Sequence, residues 1–328
     1  MDGVESQSTI CRYGVPQGSV LGPVLFTLYT APLGRIVEQQ GAEHGTYADD
    51  INILSEISAV NVDNCAARRA ATALRDWYIR NGIMPNPSKS EALVAGTAAQ
   101  LAKFPNPLII NVAGADVQCS NSIVSLGVHI DSSLTCDRRV SSIVSACNYH
   151  LRALRHIRPA LSEETAVIVG RAIILSRIDY CNSLLINTSE DNINRLQRLQ
   201  NRLIRAVKKL PYRADVTAAR ESLHWLTVRE RITYKVAMLT FKALSCHQPP
   251  YLSELLTYHI PPRSTRSSSD LSRLTVPRTR NKRAMRSFHA AAPTVWNNLP
   301  KTIRDSSSTA VFGKLLKSYL YDHVVINN

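Results

Sequence analysis

The chain has 328 residues, 45% of them hydrophobic and 20% charged, which excludes wholesale disorder and allows two or three packed units. Its net charge of +14 is unevenly divided, because residues 1–130 carry 8 Lys and Arg against 11 Asp and Glu, whereas residues 131–328 carry 31 against 14. The basic second part favours a polyanionic partner, although a basic protein without such a partner explains the charge about as well.

The seven cysteines are odd in number and form no CxxC pair, which argues against a disulfide framework or a structural zinc site. Residues 1–5 lack the basic start and apolar stretch of a secretory signal peptide. The uncharged segment from Tyr13 to Gly34 is long enough to span a bilayer, but its prolines and Gln17 make a lipid-exposed helix improbable. We therefore expect an intracellular protein with no membrane partner.

Residues 3–15 are predicted to form a strand pair that leads into the loop Gly14-Val15-Pro16-Gln17-Gly18-Ser19. Gly18 permits close approach to the backbone, and Ser19 is suited to cap a helix with Pro23 in its first turns. An ordinary glycine turn at the start of a helix is the alternative interpretation.

Residues 46–48 and 51–54 are predicted to be short strands that place Asp49 and Asp50 at the tip of a tight hairpin. A hairpin tip presents both carboxylates to one small volume, and carboxylate oxygens are ligands that Mg²⁺ prefers. Two such ions activate a hydroxyl and stabilise leaving pyrophosphate in phosphoryl transfer. A solvated pair of turn aspartates is the alternative.

Spacing of apolar residues predicts a helix from Val60 to Arg80, with Asn81-Gly82 as its stop signal. A proline-rich loop then brings Lys89 before a strand at residues 92–94, a position from which a lysine can pair with pyrophosphate, although most lysines are simply solvated. The remaining predicted strands of this region are a hairpin at residues 108–112 and 117–119 and a strand at residues 123–130.

Beyond Asp131 the pattern is helical, with helices predicted at residues 136–157, 163–186, 190–210 and 228–244 and a closing helix near the C-terminus. The third of these has an apolar seam beside a basic stripe formed by Arg195, Arg198, Arg202, Arg205 and Lys209. The stripe is predicted to bind nucleic acid, with a solvated basic face as the alternative. Residues 261–289 are predicted to be a basic linker, either solvated or bound to RNA.

Several blocks of this sequence resemble the reverse transcriptases of non-LTR (LINE-type) retrotransposons, particularly those of the Jockey clade. The loop Pro16-Gln17-Gly18 resembles motif B, and Tyr47-Ala48-Asp49-Asp50 resembles motif C. Residues 86–91 look like motif D, and residues 125–128 look like the primer-grip hairpin, motif E. Further blocks at residues 176–185, 223–226 and 292–300 are similar to the C-terminal part of Jockey-type open reading frames.

The resemblance implies an α+β fold with an incomplete right-hand polymerase palm at residues 1–130, a helical thumb at 131–212 and a mostly helical basic C-terminal region at 213–328. It implies an RNA-directed DNA polymerase with Mg²⁺ as cofactor, and with an RNA template and a DNA primer or target as partners. It gives metal binding and catalysis to Asp49 and Asp50, and pyrophosphate contact to Lys89. Residues expected to contact the substrate are Pro16, Gln17, Gly18, Tyr47, Leu126 and Gly127.

In that family another metal-binding aspartate and the fingers lie well before the Pro-Gln-Gly loop, whereas thirteen residues precede Gly14 here. Asp2 is interpreted as a turn residue. We therefore expect a C-terminal fragment of a retroelement protein, nuclear by its family, that has little polymerase activity unless other parts of that protein complete it. A non-catalytic nucleic-acid-binding remnant is the alternative.

Overall fold

The computed structural model describes residues 14–15, 18–112, 114–260 and 272–326. The chain divides into two compact units, residues 1–123 and residues 124–328. Residues 3–13 of the predicted strand pair and residues 261–271 of the predicted basic linker lie outside the described residues.

The first unit is built from short helices and two antiparallel hairpins. Its helices are α1 (Gly22–Thr30), α2 (Pro32–Gln39), α3 (Ala66–Arg80) and α4 (Ala98–Leu101). Its hairpins pair β1 (Glu43–Tyr47) with β2 (Asp50–Leu54), and β3 (Ile109–Val112) with β4 (Ala115–Gln118). Short 3₁₀ turns lie at Val62–Asn64 and Pro87–Lys89.

The core of the first unit lies between α2, α3 and the first hairpin. Leu33 and Val37 of α2 are buried against Ala70 and Leu74 of α3, as expected for apolar residues spaced by three or four on facing helices. The alternate residues Ile51 and Ile53 of β2 pack on the same cluster. This packing fixes the first hairpin against α3.

Two predicted elements of the first unit differ from the structure. The helix predicted from Val60 begins at Ala66, because Cys65 is extended with ψ of 154°, and Val60 is exposed. The strand predicted at residues 92–94 is absent, since Ala92 forms only an isolated parallel bridge with Cys119. The other predicted hairpin is present, with Val112 opposite Ala115.

The second unit is mostly helical. It opens on a two-stranded sheet of β5 (Ser122–Ser125), in which the division between the units falls, and β6 (Val128–Asp131). Its helices are α5 (Asp137–Ile157), α6 (Glu163–Gly170), α7 (Ser176–Asp179), α8 (Glu190–Val207), α9 (Thr217–Ser222), α10 (Val228–Cys246), α11 (Pro250–Ser253), α12 (Phe288–Asn297), α13 (Lys301–Arg304) and α14 (Thr309–Ile326). Short 3₁₀ segments lie at Arg158–Ala160, Asn182–Leu185 and Ala284–Arg286.

Two elements of the second unit that were predicted to be continuous are interrupted in the structure. The strand predicted over residues 123–130 is two strands, because Leu126 and Gly127 both have positive φ and form a tight turn. The helix predicted over residues 163–186 is interrupted by a π-helical segment, Arg171–Leu175, and ends at Tyr180 and Cys181, the latter with φ of +47°. The helices predicted at residues 136–157 and 228–244 are present within two residues of their predicted bounds.

Two apolar cores stabilise the second unit. The first surrounds α8, whose seam residues Leu196, Leu199 and Leu203 are at most 1% exposed. The second is built around α10, α12 and α14, where Phe241 stacks on Phe312 with ring centroids 4.3 Å apart and Trp296 lies 5.9 Å from Phe312. The fold is mixed, with many helices and small antiparallel sheets, which is compatible with the predicted α+β class, whereas the palm and thumb arrangement remains a prediction.

The described end of the predicted basic linker is packed on the second core. Leu274 is 2% exposed, and its backbone N–H and carbonyl are both hydrogen-bonded by the side chain of Asn297 at 2.8 Å. The indole of Trp296 donates to the Ser272 carbonyl. Among the helices that the structure describes, none combines the length and apolarity needed to cross a membrane.

Candidate functional site

The two adjacent aspartates lie at the tip of the hairpin of β1 and β2. Tyr47 is paired with Asp50, so that Ala48 and Asp49 form a two-residue turn, and Asp50 is the first residue of β2. The side chains of all four residues are exposed. Ala48 has φ of +52°, a conformation that tight hairpin turns require and that residues with a Cβ adopt at a cost. The predicted hairpin is present, but its turn is formed by Ala48 and Asp49 rather than by both aspartates, and both carboxylates are exposed to solvent.

Tyr78 of α3 lies beside this hairpin, although sequence reasoning assigned it no role at the carboxylates. Partial burial raises the pKa of its hydroxyl above the ordinary value, and the negative charge of Asp49 raises it further. The raised pKa shows that the Tyr78 hydroxyl lies within the electrostatic reach of the Asp49 carboxylate. The signal available in the sequence was its place in the aromatic pair Trp77-Tyr78, at the C-terminal end of an amphipathic helix.

The glycine-rich loop leads into α1. Gly18 has φ of +88°, and a Cβ at this position would meet nothing within 4 Å, so the backbone conformation rather than crowding calls for glycine. Ser19 accepts a hydrogen bond from the Gly22 N–H at 3.0 Å, as expected of a residue that satisfies a helix N-terminus. The predicted contact residues Pro16 and Gln17 lie outside the described residues.

Helix α1 is attached to the C-terminal end of α3. The hydroxyl of Tyr29 donates to the Asn81 carbonyl, and its ring meets Trp77 edge-on with centroids 5.7 Å apart. The helix that follows the glycine loop and the helix that carries Tyr78 therefore belong to one packed group.

Lys89 is exposed at the end of the 3₁₀ turn Pro87–Lys89. The side chain of Asn86 shapes this turn by accepting hydrogen bonds from the Ser88 N–H at 3.1 Å and from the Ser88 hydroxyl at 2.6 Å. Within the described ranges no ion pair joins Lys89 to Asp49 or Asp50. Its pyrophosphate role remains a prediction.

The carboxylates of Asp49 and Asp50 match a hard divalent cation in ligand type, since carboxylate oxygens are the donors that Mg²⁺ selects. In the part of the chain that the structure describes, no third His, Cys, Asp or Glu joins them to form a metal-binding group. Two carboxylates leave most of an octahedral shell to water, substrate phosphates or other protein groups.

Leu126 and Gly127, the predicted primer-grip residues, form the turn between β5 and β6 in the second unit. The hydroxyl of Tyr180 donates to the Leu126 carbonyl at 2.7 Å, and its ring is 3.9 Å from the position that a Cβ on Gly127 would occupy. The Tyr180 carbonyl in turn accepts a hydrogen bond from Arg139. Sequence reasoning missed both residues, because this contact joins positions 54 residues apart.

Arg139 is 3% exposed, and its Nε and Nη1 are buried without a hydrogen-bond partner. Burial lowers its pKa from the ordinary arginine value, although the nearby Cys181 and Cys136 thiols act in the opposite direction. A buried guanidinium that serves mainly to hold a carbonyl is costly, so the position of Tyr180 is strongly constrained.

The predicted basic stripe of α8 lies partly in a groove rather than on an open helix face. Arg198 and Lys209 are exposed, whereas Arg195, Arg202 and Arg205 are half-buried. Arg198 is 3.9 Å from Asp191, an exposed pair of little energetic weight.

The half-buried members of the stripe bond to neighbouring structure. Arg195 donates to the Ser141 hydroxyl of α5 at 2.8 Å, and Arg202 is 3.4 Å from the Asn148 side-chain oxygen, one heptad further along α5. Helices α5 and α8 thus form a groove whose lining is polar and basic along two turns of each helix.

Residues 1–130 match the family model described as reverse transcriptase (RNA-dependent DNA polymerase). This part of the chain is similar to reverse transcriptases. The prediction of a LINE-type reverse transcriptase is thereby confirmed, and the carboxylate hairpin and the glycine loop lie within the matched residues.

Relatives of this reverse transcriptase segment support the same assignment. The chain is 29% identical over 233 residues to the probable RNA-directed DNA polymerase from transposon BS of Drosophila melanogaster, covering 68% of this chain and 25% of the relative. It is 26% identical to the RNA-directed DNA polymerase from mobile element jockey of Drosophila funebris, covering 64% of this chain and 23% of the relative.

A third relative extends the similarity further along the chain. The probable RNA-directed DNA polymerase from transposon X-element of Drosophila melanogaster is 24% identical, covering 85% of this chain and 29% of the relative. The chain thus spans about a quarter of the length of the curated relatives it matches. No solved structure gives a significant match.

Proposed function

We propose that the first unit carries the nucleotidyl-transfer site of an RNA-directed DNA polymerase. The observation that carries this proposal is the hairpin tip, where Asp49 and Asp50 are consecutive, exposed residues within the part of the chain that matches the family. A bound pair of Mg²⁺ ions would activate a primer hydroxyl and stabilise leaving pyrophosphate.

The residues around the tip have separate roles in this proposal. Asp49 is the principal metal ligand and Asp50 an auxiliary one. Tyr78 lies within the electrostatic reach of Asp49, so its neutral hydroxyl can orient that carboxylate without competing for the cation. Tyr47, 67% exposed, presents an aromatic face beside the incoming nucleotide.

The proposal assigns the substrate contacts to residues outside the tip. Gly18, with Pro16 and Gln17, contacts the template–nucleotide pair, and the absence of a side chain at Gly18 leaves the space that a base pair requires. Lys89 approaches the pyrophosphate when the nucleotide is bound. Leu126 and Gly127 contact the primer strand.

The proposal is tested by cutting the chain with Fe²⁺ and ascorbate in place of Mg²⁺, because bound iron generates hydroxyl radicals that cleave the nearest backbone. Cleavage is expected between β1 and β2, protected by excess Mg²⁺ and lost in Asp49→Asn. Asp63→Asn is the matched control, since the Asp63 side chain belongs to the same unit and is 96% exposed. Primer extension on an RNA template, run beside both variants, measures the reaction itself.

Two results would contradict the proposal. One is cleavage at the hairpin that persists in Asp49→Asn, which would mean that the iron binds elsewhere. The other is primer extension that Asp49→Asn leaves unchanged. We expect the 328-residue chain to extend primers weakly, because two carboxylates hold a six-coordinate ion poorly.

A second candidate function is non-catalytic binding of nucleic acid by the second unit. The groove between α5 and α8 favours it, since Arg195 and Arg202 line it on one side and Arg198 is exposed to solvent on the same helix. Affinity for an RNA–DNA hairpin should fall steeply with added salt, and Arg198→Gln should reduce the logarithmic slope by about one if that side chain neutralises one phosphate. Binding that is insensitive to salt would count against it.

Nuclear location belongs to the same proposal. Arg280 and Lys282 are exposed, whereas Arg283 donates to the Ser133 carbonyl and is half-buried. A fluorescent fusion of the chain should leave the nucleus when Arg280 and Lys282 are both changed to Gln. An unchanged distribution would remove this patch as a nuclear signal.

A further inference from the structure

A basic cavity lies where α5 and α8 both end. It has a volume of about 500 Å³ and is lined by Arg155, Arg158, Pro159, Arg205, Ala206, Lys209, Leu210 and Tyr212. None of these lining residues is acidic. A cavity of this size accommodates a ligand as large as one nucleotide.

One of the four cations has a structural role. Arg158 is 6% exposed, and its Nε and Nη2 donate to the Val207 carbonyl at 3.0 and 2.6 Å, while Nη1 donates to the Leu161 carbonyl at 2.7 Å. These bonds satisfy a carbonyl at the C-terminal end of α8 and offset the negative end of its dipole. The C-terminal end of α8 therefore repels an anion less than an uncapped helix C-terminus would.

The other three cations are available to a ligand. Arg205 is positioned by one bond, from Nε to the Ala214 carbonyl at 3.0 Å, which leaves its two terminal nitrogens without a bond among the described residues. Arg155 and Lys209 are exposed and have no ion pair in the described part of the chain. The nearby carboxylate of Glu163 is paired with Lys208 at 2.6 Å. Hydrogen bonds from Thr217 lower the pKa of the exposed Asp215, and the charge of Arg205 lowers it further, so Asp215 offsets part of the charge of Arg205 but not that of Arg155 or Lys209.

An aromatic ring stands at the edge of the same cavity. Tyr212 is 74% exposed, although tyrosine rings usually bury most of their apolar surface. A free phosphate or another inorganic anion has no flat face that could stack on such a ring. A nucleobase has one, and it stacks on exposed aromatic side chains.

We propose that this cavity binds one nucleotide of a single-stranded nucleic acid, with its phosphate against Arg155, Arg205 and Lys209 and its base stacked on Tyr212. A single strand is favoured over a duplex, because bases in a duplex already stack on their neighbours and offer no free face at this edge. This inference rests on the proposed nucleic-acid-binding function of the second unit and specifies the strand state that one part of it binds.

The experiment measures fluorescence anisotropy of the full chain with a labelled single-stranded RNA of about 12 nucleotides and with the blunt duplex of the same sequence. Tyr212→Ala should weaken single-strand binding about tenfold, whereas Tyr212→Phe, which keeps the ring, should stay within about twofold of the wild type. Both variants should bind the duplex as the wild type does. Tyr251→Ala is the control for removing an exposed tyrosine, since Tyr251 is 67% exposed on α11.

A charge series completes the test. Lys209→Gln should weaken binding and reduce the logarithmic salt slope by about one, relative to Lys317→Gln, an equal loss of charge at an exposed residue of α14. Single-strand affinity that Tyr212→Ala leaves unchanged, or an equal loss on single strand and duplex, would overturn the proposal for this cavity alone. Absence of binding to both ligands by the wild type would instead refute the nucleic-acid-binding function on which the proposal rests.

Discussion

The two units of the chain differ in where they place their apolar surface. In the second unit, α8 and the aromatic cluster of Phe241, Trp296 and Phe312 are enclosed in two extensive cores. In the first unit the described core is a small cluster around Leu33 and Leu74, and α1 exposes several large apolar side chains, namely Val24, Leu25, Leu28 and Tyr29. The first unit thus contains the candidate catalytic residues but only a small apolar core. Most of the apolar packing that stabilises the chain against unfolding lies in the second unit.

The largest effect on stability is expected from the aromatic cluster of the second unit. Phe312→Ala should lower the free energy of unfolding by about 3–5 kcal/mol, because the ring is fully buried and its removal leaves a cavity between two other rings. Leu74→Ala in the first unit should cost about 2 kcal/mol, near the low end for such a change, since its small core can relax. Urea unfolding measures both free energies. Equal losses of stability in the two variants would contradict the inferred difference in packing between the two units.

A buried thiol makes the second unit sensitive to alkali. Burial raises the pKa of Cys147 from 9.0 to about 11, and its Sγ lies 3.8 Å from the Ile174 carbonyl. Because the folded pKa exceeds the unfolded one, this contribution is complete below pH 9 and is lost as the pH rises from about 9 to about 11. The loss should reach about 2–3 kcal/mol.

The comparison for this prediction is Cys147→Ala, measured by urea unfolding at the two ends of that pH range. The variant should lose less stability between them than the wild type does, since other groups titrate equally in both proteins. An identical loss would exclude the thiol as the source. The exposed Cys246 should react with a thiol reagent in the native protein under conditions that leave Cys147 unmodified.

A smaller effect is expected at the hairpin of β5 and β6. Tyr180→Phe removes the hydrogen bond to the Leu126 carbonyl and should cost about 1 kcal/mol, with faster amide exchange across residues 122–131. Tyr149→Phe on α5 is the control, because Tyr149 is 65% exposed. Unchanged exchange in Tyr180→Phe would show that packing of the ring alone holds the turn.

The smallest effect on stability is expected where the effect on function is largest. Asp49→Asn should change the free energy of unfolding by less than about 0.5 kcal/mol, because the side chain is exposed on a turn and its removal relieves repulsion from Asp50. The same variant should lose iron-dependent cleavage at the hairpin. A large loss of stability would mean that the carboxylate supports the fold.

Local patterns predicted the parts of the fold that depend on local physics. The leucine seam of α8 repeats with helical periodicity and lies in the core as expected, and the short strands predicted on either side of Asp49 and Asp50 form a hairpin, with its turn at Ala48 and Asp49. Where the prediction failed, the sequence carried little signal. Leu126 and Cys181 adopt positive φ without being glycine or asparagine, and no proline or glycine marks the π-helical segment within its own residues.

Contacts between distant residues account for the parts of the candidate sites that sequence patterns could not predict. Tyr180 reaches Leu126 across 54 positions, and the pocket of Arg158 depends on Val207, 49 positions away. The sequence predicts the basic residues of α8 as one continuous stripe, whereas the structure divides them between the groove and solvent. Side-chain burial of arginine depends on the neighbouring helix, so a pattern on one helix does not reveal it.

The π-helical segment Arg171–Leu175 determines the direction in which the side chains of the following helical residues point. A π turn contains one residue more than an α turn, which advances the later residues by about 100° around the helix axis. That advance aims Asp179 at Arg231, 2.7 Å away, and places Tyr180 between Arg139 and the Leu126 carbonyl. Deleting a single residue from this segment would restore an uninterrupted α-helix and turn both side chains away from their partners, so chain length here is under a stricter constraint than residue identity.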